Sequence, residues 1–460
     1  MRRCGSRLSA LGCHLSGDSG DGTHAERGIG DTVLPVAVHV SDSFEGGNIR
    51  VLDATRADDI LLEIKPDAAC VKEAGRLWYQ YFYFRASGVR GRDCAFRITN
   101  AAGALAGHGG WEPVAGGSHP AGDVGYKARA SYDRHTWFAV EATSYERRGG
   151  VARGEVGGEG ETEGGLRVTK GSDGEGTLTV RLTPTADTVY IAYFQPYSVE
   201  NHHSLVARAA AGGAEHRVLG QSTEARDMDL LVLGSGPLKL WLIGRQHPGE
   251  TMASYFFEGL LERLLDPADG AACALLARAT VYCVPLMCPD GAARGYLRTN
   301  AAGANLNREW SDPTVEFSPE VLCVRDAMDA AGLDFCLDVH GDEASPYNYL
   351  CVAPGWTPRL ASLQKRFVSD WREANPEMSI SSSQTIDTLN PERTGLDGEL
   401  ATVCTTALGW RFDALCATLE MPFKDNAEMP QPAVGWNGPR SGWLGKSVVE
   451  PLLRTLPHLR

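Results

Sequence analysis

Apolar positions in the first part of the chain recur at the short, alternating spacing of β-strands, with turn residues between the runs. Residues 77–84 (Leu-Trp-Tyr-Gln-Tyr-Phe-Tyr-Phe) are aromatic and partly alternating, and 136–140, 177–182 and 188–193 follow in the same style. Several short strands at this spacing predict an all-β sandwich over 33–203. The stretch 147–176 interrupts it. It is rich in Gly and Glu and too poor in apolar side chains to bury a surface of its own, so it reads as a long loop. Residues 1–32, rich in Gly, Ser and Asp, read as a disordered tail. Their one apolar patch, 8–15, is short and broken by Ser9, Gly12, Cys13 and His14, a poor secretory segment, and Asp18 and Asp21 argue against a transit peptide.

From 204 onward the pattern changes to strands alternating with helices. Residues 238–243 and 335–339 are continuous apolar runs of strand length. Between 250 and 265, Met252, Tyr255, Phe256, Leu260 and Leu264 fall at helical spacing and stop at Asp266-Pro267. Ser318-Pro319 opens a helix that ends at Gly332, and Thr357-Pro358 opens another with Leu360, Leu363, Phe367 and Trp371 on one face. This alternation predicts a three-layer α/β/α domain with a mixed sheet over 204–460. The chain shows no internal repeat.

At 460 residues there is room for two cores, and 43% apolar with 22% charged residues fits a globular protein. The net charge of −14 argues against nucleic acid or an anionic membrane as partner. No apolar run reaches the roughly 18 residues a membrane span needs; 271–288 comes nearest but carries Arg278 and Pro285. The 12 cysteines form no Cys-x-x-Cys pair or regular framework, which reads as reduced thiols of an intracellular protein.

Candidate chemistry lies at the ends of the apolar runs. His247 and Glu250 stand three apart just after 238–243, and His340 follows 335–339. Two imidazoles and a carboxylate are the ligand set of a catalytic zinc site with one open position. Strand ends are also where open α/β sheets bind their ligands. The pattern alone selects little, because 12 histidines give roughly one chance His-x-x-Glu, and a second pair, His340 and Glu343, is present. Its company decides. Cys288-Pro289-Asp290-Gly291 leads to Arg298. Asn305-Leu306-Asn307-Arg308-Glu309-Trp310 comes next, and Leu419-Glu420-Met421 stands late in the chain.

In that order these motifs resemble a zinc metallocarboxypeptidase of the M14 family, specifically the cytosolic carboxypeptidase subfamily. Tyr81-Phe82-Tyr83-Phe84-Arg85 and Phe194-Gln195-Pro196-Tyr197-Ser198 resemble its extra N-terminal β domain, so the resemblance covers roughly 38–435. It implies one Zn2+ per chain on His247, Glu250 and His340, peptide or protein C-termini as substrate, and a cytoplasmic place of work. Zinc so held lowers the pKa of its water to near 7 and polarises a scissile carbonyl. Glu420 would be the general base, Arg298 the oxyanion partner, and Asn307 with Arg308 the grip on the substrate carboxylate. Members of that subfamily are often associated with removal of glutamate, so the resemblance implies glutamate as a candidate substrate residue, and Arg393 lies in the segment that forms the side-chain pocket in the wider family.

Four departures accompany the match. Cys288 replaces the asparagine that commonly opens Asn-Pro-Asp-Gly, which removes a local turn hydrogen bond and leaves a thiol expected to be buried and inert. No tyrosine follows Tyr349, so the substrate-capping tyrosine of digestive carboxypeptidases has no counterpart. The 147–176 stretch is not a family feature. Glu343, in a tight turn after His340, is assigned to a place beside the ligands or at the surface. Two other functions share parts of this pattern: a zinc deacylase of N-acyl amino acids, like aspartoacylase, and a non-catalytic binder of acidic tails.

Overall fold

The computed structural model describes residues 37–70, 77–101, 110–111, 124–147, 176–352, 357–379, 384–385 and 399–459. The predicted tail at 1–32, residues 148–175 of the Gly/Glu-rich stretch, and Arg393 lie outside the described residues.

Ten strands come first: β1 (His39–Ser41), β2 (Arg50–Asp53), β3 (Ile60–Glu63), β4 (Tyr83–Ser87), β5 (Cys94–Ile98), β6 (Arg129–Ser131), β7 (Phe138–Ala139), β8 (Thr143–Arg147), β9 (Gly176–Leu182) and β10 (Thr188–Ala192). They form two five-stranded sheets, ordered β1-β4-β10-β6-β7 and β2-β3-β5-β9-β8. The inner faces share a core in which the rings of Phe84 on β4 and Phe96 on β5 meet at 5.5 Å. The aromatic run expected as a strand over 77–84 departs from its prediction. The strand starts only at Tyr83, because 81–84 are all buried and do not alternate, and Trp78 turns away to stack on an arginine. Only Phe138–Ala139 of the run at 136–140 pairs. Thr136 belongs to a turn in which Asp133 Oδ1 accepts the N–H groups of His135 (2.8 Å) and Thr136 (2.7 Å).

A helix, α1 (Val199–Ala211), runs across the boundary expected at 203/204. The second set of strands is β11 (Glu215–Gln221), β12 (Asp227–Leu233), β13 (Leu238–Gly244), β14 (Ala279–Val284), β15 (Phe335–Asp342), β16 (Tyr349–Val352), β17 (Gln384–Thr385) and β18 (Leu415–Pro422). They form one mixed sheet in the order β11-β12-β14-β13-β15-β18-β16-β17. Between them come helices α2 (Met252–Leu264), α3 (Gly270–Leu276), α4 (Pro289–Arg294), α5 (Pro319–Ala331), α6 (Pro358–Ala374) and α7 (Cys404–Phe412); α8 (Gly438–Ser447) and α9 (Val449–Thr455) follow.

Strand periodicity explains the three layers. Successive side chains of a strand point to opposite faces. Leu240 and Leu242 of β13 join the core under α2, α6, α8 and α9, while Trp241 and Ile243 join the core under α5 and α7. Both faces are buried, which is why β13 and β15 read as continuous apolar runs. Phe335, Leu337 and Val339 of β15 face the first layer and Cys336 the second. The same two-residue period puts Asp338 and His340 on the α5/α7 side. Among the described residues no helix is long and apolar enough to cross a membrane, and the ten described cysteines are free.

Phe84 is fully buried where the two β-sheets meet. Its replacement by Ala should destabilise the protein by about 3–5 kcal/mol through lost burial and a residual cavity, read as a shift in the urea unfolding midpoint.

Candidate active site

The chain leaves β13 at Gly244 through a turn that tolerates little substitution. A Cβ on Gly244 would lie 2.6 Å from the Phe257 ring, and one on Gly249 would lie 2.9 Å from Leu297 Cα. Arg245 takes the left-handed conformation, φ 56°, and is buried. Its guanidinium donates to the carbonyl of Pro248 (3.1 Å from Nε), to that of Tyr197 (3.0 Å) and to Ser254 Oγ (3.2 Å). The turn is thereby tied to its own far end, and His247 and Glu250 arrive just before α2.

His340 comes to the same point from β15. Glu250 lies between the two imidazoles: Oε1 is 2.7 Å from His247 Nδ1, and Oε2 is 2.9 Å from His340 Nδ1. The two Nδ1 atoms are 3.2 Å apart, and ligand atoms of all three residues lie within 4.8 Å of one another. The outer ring nitrogens have partners of their own. His247 Nε2 is 3.1 Å from Asn305 Oδ1, and His340 Nε2 is 2.8 Å from Asp338 Oδ2. Asp338 Oδ2 also accepts from Gln246 Nε2 (2.6 Å), whose Oε1 accepts from Trp310 Nε1 (2.7 Å). With their Nε2 protons directed at oxygen acceptors, both rings turn an Nδ1 toward Glu250. This is the oriented donor set, imidazoles backed by carboxylate or carbonyl oxygen, that a divalent cation takes.

The charge balance fits a cation too. Glu250, Asp338, Asp342, Glu343 and Glu420 crowd one sheet edge. Burial pushes the Glu420 carboxyl well above its ordinary range, helped by the charges of Glu250, Asp342 and Glu343 and opposed by His340. Burial and the charges of Glu250 and Asp342 push Glu343 up to about 8. Burial lowers His247 to about 4, which leaves it neutral. Burial alone would also lower His340, but Asp338 and Glu250 outweigh it and hold this ring well above its ordinary value. A metal entering the cluster would therefore displace a proton from His340.

Glu420 stands directly opposite His340 in the parallel register of β15 and β18, as Thr418 stands opposite Asp338. Its Oε2 is sealed from solvent with no hydrogen-bond partner. Arg298 holds its guanidinium over the Trp78 ring, 4.8 Å from the centroid, and its Nε is likewise sealed and without a partner. Asn307 Oδ1 accepts the Cys404 N–H at the start of α7 (2.9 Å), which leaves its amide N–H groups as donors. The half-buried Arg308 donates from Nη1 to the Asn307 carbonyl (2.7 Å).

Glu343 stands outside the three-residue ligand cluster. It is buried, not at the surface, and its Oε1 has no partner. Cys288 caps α4 without a side-chain hydrogen bond to the helix; its thiol is fully buried and pushed well up by burial. Tyr349, the last tyrosine, is bonded through Oη to Asp342. The sequence reading passed over Gln246, Asn305, Asp338 and Trp78. Asp338 had a signal, because a residue two before His340 on a strand shares its face.

A mixed α/β sheet with a His-Glu-His cluster at its strand ends, and an acid on the neighbouring strand, defines a metallohydrolase. Comparison with known proteins narrows the class. The cytosolic carboxypeptidase N-terminal domain matches residues 40–153, and the zinc carboxypeptidase family matches 205–333. A metallo-carboxypeptidase from Burkholderia cenocepacia has 35% identity and a TM-score of 0.75, covering 91% of this chain and 99% of its own. One from Pseudomonas aeruginosa has 36% identity and a TM-score of 0.76 over 92% of this chain and 100% of its own. An uncharacterised protein of Zymomonas mobilis is 37% identical over 92% of this chain and 98% of its own length. Human cytosolic carboxypeptidase 6 is 27% identical over 34% of each chain. The chain belongs to the M14 zinc carboxypeptidases, in the cytosolic carboxypeptidase subfamily, and is a zinc metallocarboxypeptidase.

Asp338→Asn keeps the shape of the side chain but removes the carboxylate behind His340. We expect zinc affinity to fall about 10–100-fold, measured by competition with a chromogenic chelator.

Proposed function

We propose that this chain binds one Zn2+ on His247, Glu250 and His340 and removes single residues from free peptide or protein C-termini. The observation that carries the proposal is the register that sets Glu420 beside His340 while Glu250 joins the two imidazoles. Bound zinc would supply Lewis acidity at the scissile carbonyl and a water of lowered pKa. Glu420, with an oxygen that no protein group occupies, takes a proton from the attacking water and delivers it to the leaving amine. Arg298 pairs with the oxyanion that develops on the carbonyl. Asn307 and Arg308 hold the terminal carboxylate, Asn307 through the amide donors its bond to α7 leaves over.

Division into a β domain over 33–203 and a catalytic domain over 204–460 is part of the same proposal, and so is work in the cytoplasm, which agrees with the free cysteines. Support for glutamate as the residue removed comes from the resemblance to cytosolic carboxypeptidases alone, and the same resemblance offers Arg393 as its partner. A second specificity has its own motive. The Pseudomonas aeruginosa relative was solved with (2-guanidinoethylmercapto)succinic acid, a molecule with a cationic arm, so basic C-termini belong in any test.

The test is mass spectrometry of peptides ending in Glu, Asp, Lys, Arg, Phe or Leu, free or amidated, with and without a chelator. We expect chelator-sensitive loss of one residue at a time from free ends alone. Cleavage of N-acyl amino acids instead of peptides would favour the deacylase, and bound zinc without turnover would favour the binder. Glu420→Gln should keep the metal and abolish turnover; an active variant would remove Glu420 as the base. Arg308→Ala should raise KM by about 10-fold or more, the worth of a charge-assisted hydrogen bond. Equal cleavage of amidated peptides by the unaltered enzyme would contradict the carboxylate grip.

A further inference from the structure

Arg298 rides on a segment, 295–303, that is held from the β-sheet half of the molecule. Asn48 Nδ2 donates to the Gly295 carbonyl (2.8 Å). Asp67, only 3% exposed, accepts three consecutive backbone N–H groups: Leu297 on Oδ1 (2.9 Å), and Arg298 (2.6 Å) and Thr299 (3.2 Å) on Oδ2. Thr299 Oγ1 donates to the Ala68 carbonyl (3.3 Å). Gly303, at φ 78°, lies so close to Ala69 that a Cβ there would be 2.1 Å from the Ala69 carbonyl oxygen. Trp78, 2% exposed, supplies the ring under the Arg298 guanidinium.

We propose that Asp67 and Trp78 are positioning residues for Arg298. The first fixes its backbone, the second fixes its guanidinium, and the β half thereby sets the geometry of the oxyanion donor. This rests on the reading of Arg298 given above. The physical case is that Arg298 has few restraints of its own. Its Nε has no partner, so the ring face supplies an orienting contact for the cation. Both oxygens of Asp67 accept N–H donors, an arrangement that suits a carboxylate and would set the N–H of an amide group against a donor. Three successive N–H groups drawn to one carboxylate fix the backbone torsions on either side of Arg298, as in anion-binding backbone nests. Burial raises the Asp67 carboxyl to about 7 against these bonds. So polar a group in so dry a place calls for a purpose beyond packing.

The test is a double-mutant cycle on a free-C-terminus peptide, with zinc content measured for each variant. Asp67→Asn puts an amide N–H against backbone N–H groups, and Trp78→Leu removes the ring face. Each should lower kcat about 10–100-fold, the effect of displacing a catalytic donor by roughly 1 Å, while KM moves less than about threefold and zinc stays bound. In an Arg298→Ala background neither substitution should lower kcat further, and Trp78→Phe should restore most of the loss. A kcat loss of the same factor in both backgrounds would mean a general structural effect and overturn the proposal. So would unchanged kcat in Asp67→Asn and Trp78→Leu. An Arg298→Ala enzyme with normal kcat would instead remove the Arg298 assignment, and the clamp's catalytic purpose with it.

Discussion

Parallel pairing of β15 with β18 holds His340 and Glu420 side by side, on strands that lie about 4.8 Å apart. Everything chemical in the molecule is arranged around that register. A slip by one residue would turn Glu420 to the opposite face and replace it with an apolar neighbour, Leu419 or Met421. The slip is opposed along the whole pair, because Leu415, Ala417, Leu419 and Met421 are buried under one helical layer and Cys416 under the other. The apolar faces thus fix the position of a polar residue that contributes nothing to the core itself.

The same edge concentrates more negative charge than a buried surface tolerates. Glu343 and Glu420 each keep a sealed oxygen without a partner, a situation that costs stability unless something compensates. Without a metal, the raised proton affinities of Glu420, Glu343 and His340 are that compensation. A divalent cation among Glu250 and the two imidazoles would take over the role and favour the ionised form of Glu420 that its proposed part as base requires. In the proposed mechanism, assembly of the ligand set and activation of the base are then one electrostatic event.

Much of this was legible in the sequence. Continuous apolar runs at 238–243 and 335–339 marked strands covered on both faces, and Ser318-Pro319 and Thr357-Pro358 marked helix starts now seen at α5 and α6. His247, Glu250 and His340 stood out only in the company of the later motifs around Arg298, Asn307 and Glu420, because His-x-x-Glu alone also picks out His340 and Glu343; the three lie in one cluster. What failed to show was contact across long sequence distance. Nothing near Asn305 points to His247, 58 positions away, and nothing near Trp78 points to Arg298. The aromatic run at 77–84 misled for a related reason: its rings serve several surfaces at once, so their spacing does not report a single strand face.

Those long-range contacts bear on why the β half exists. Tyr193, just past β10, stacks on Phe423 with ring centroids 4.5 Å apart, three residues beyond Glu420. Arg129 on β6 donates to the carbonyls of Val434 (2.6 Å) and Trp436 (2.7 Å). Arg440 of α8 donates to the Gly435 carbonyl (3.0 Å) between them and pairs with Asp425 and Glu377, at 2.8 Å each. The β half therefore braces the end of the Glu420 strand at one point and the Arg298 segment at another. In their proposed roles, Glu420 as base and Arg298 as oxyanion partner act on one scissile bond, and a scaffold that touched only one of them would leave the two free to move apart, when such chemistry depends on how both groups are placed. Contacts from the same β half to both segments tie the position of one to that of the other.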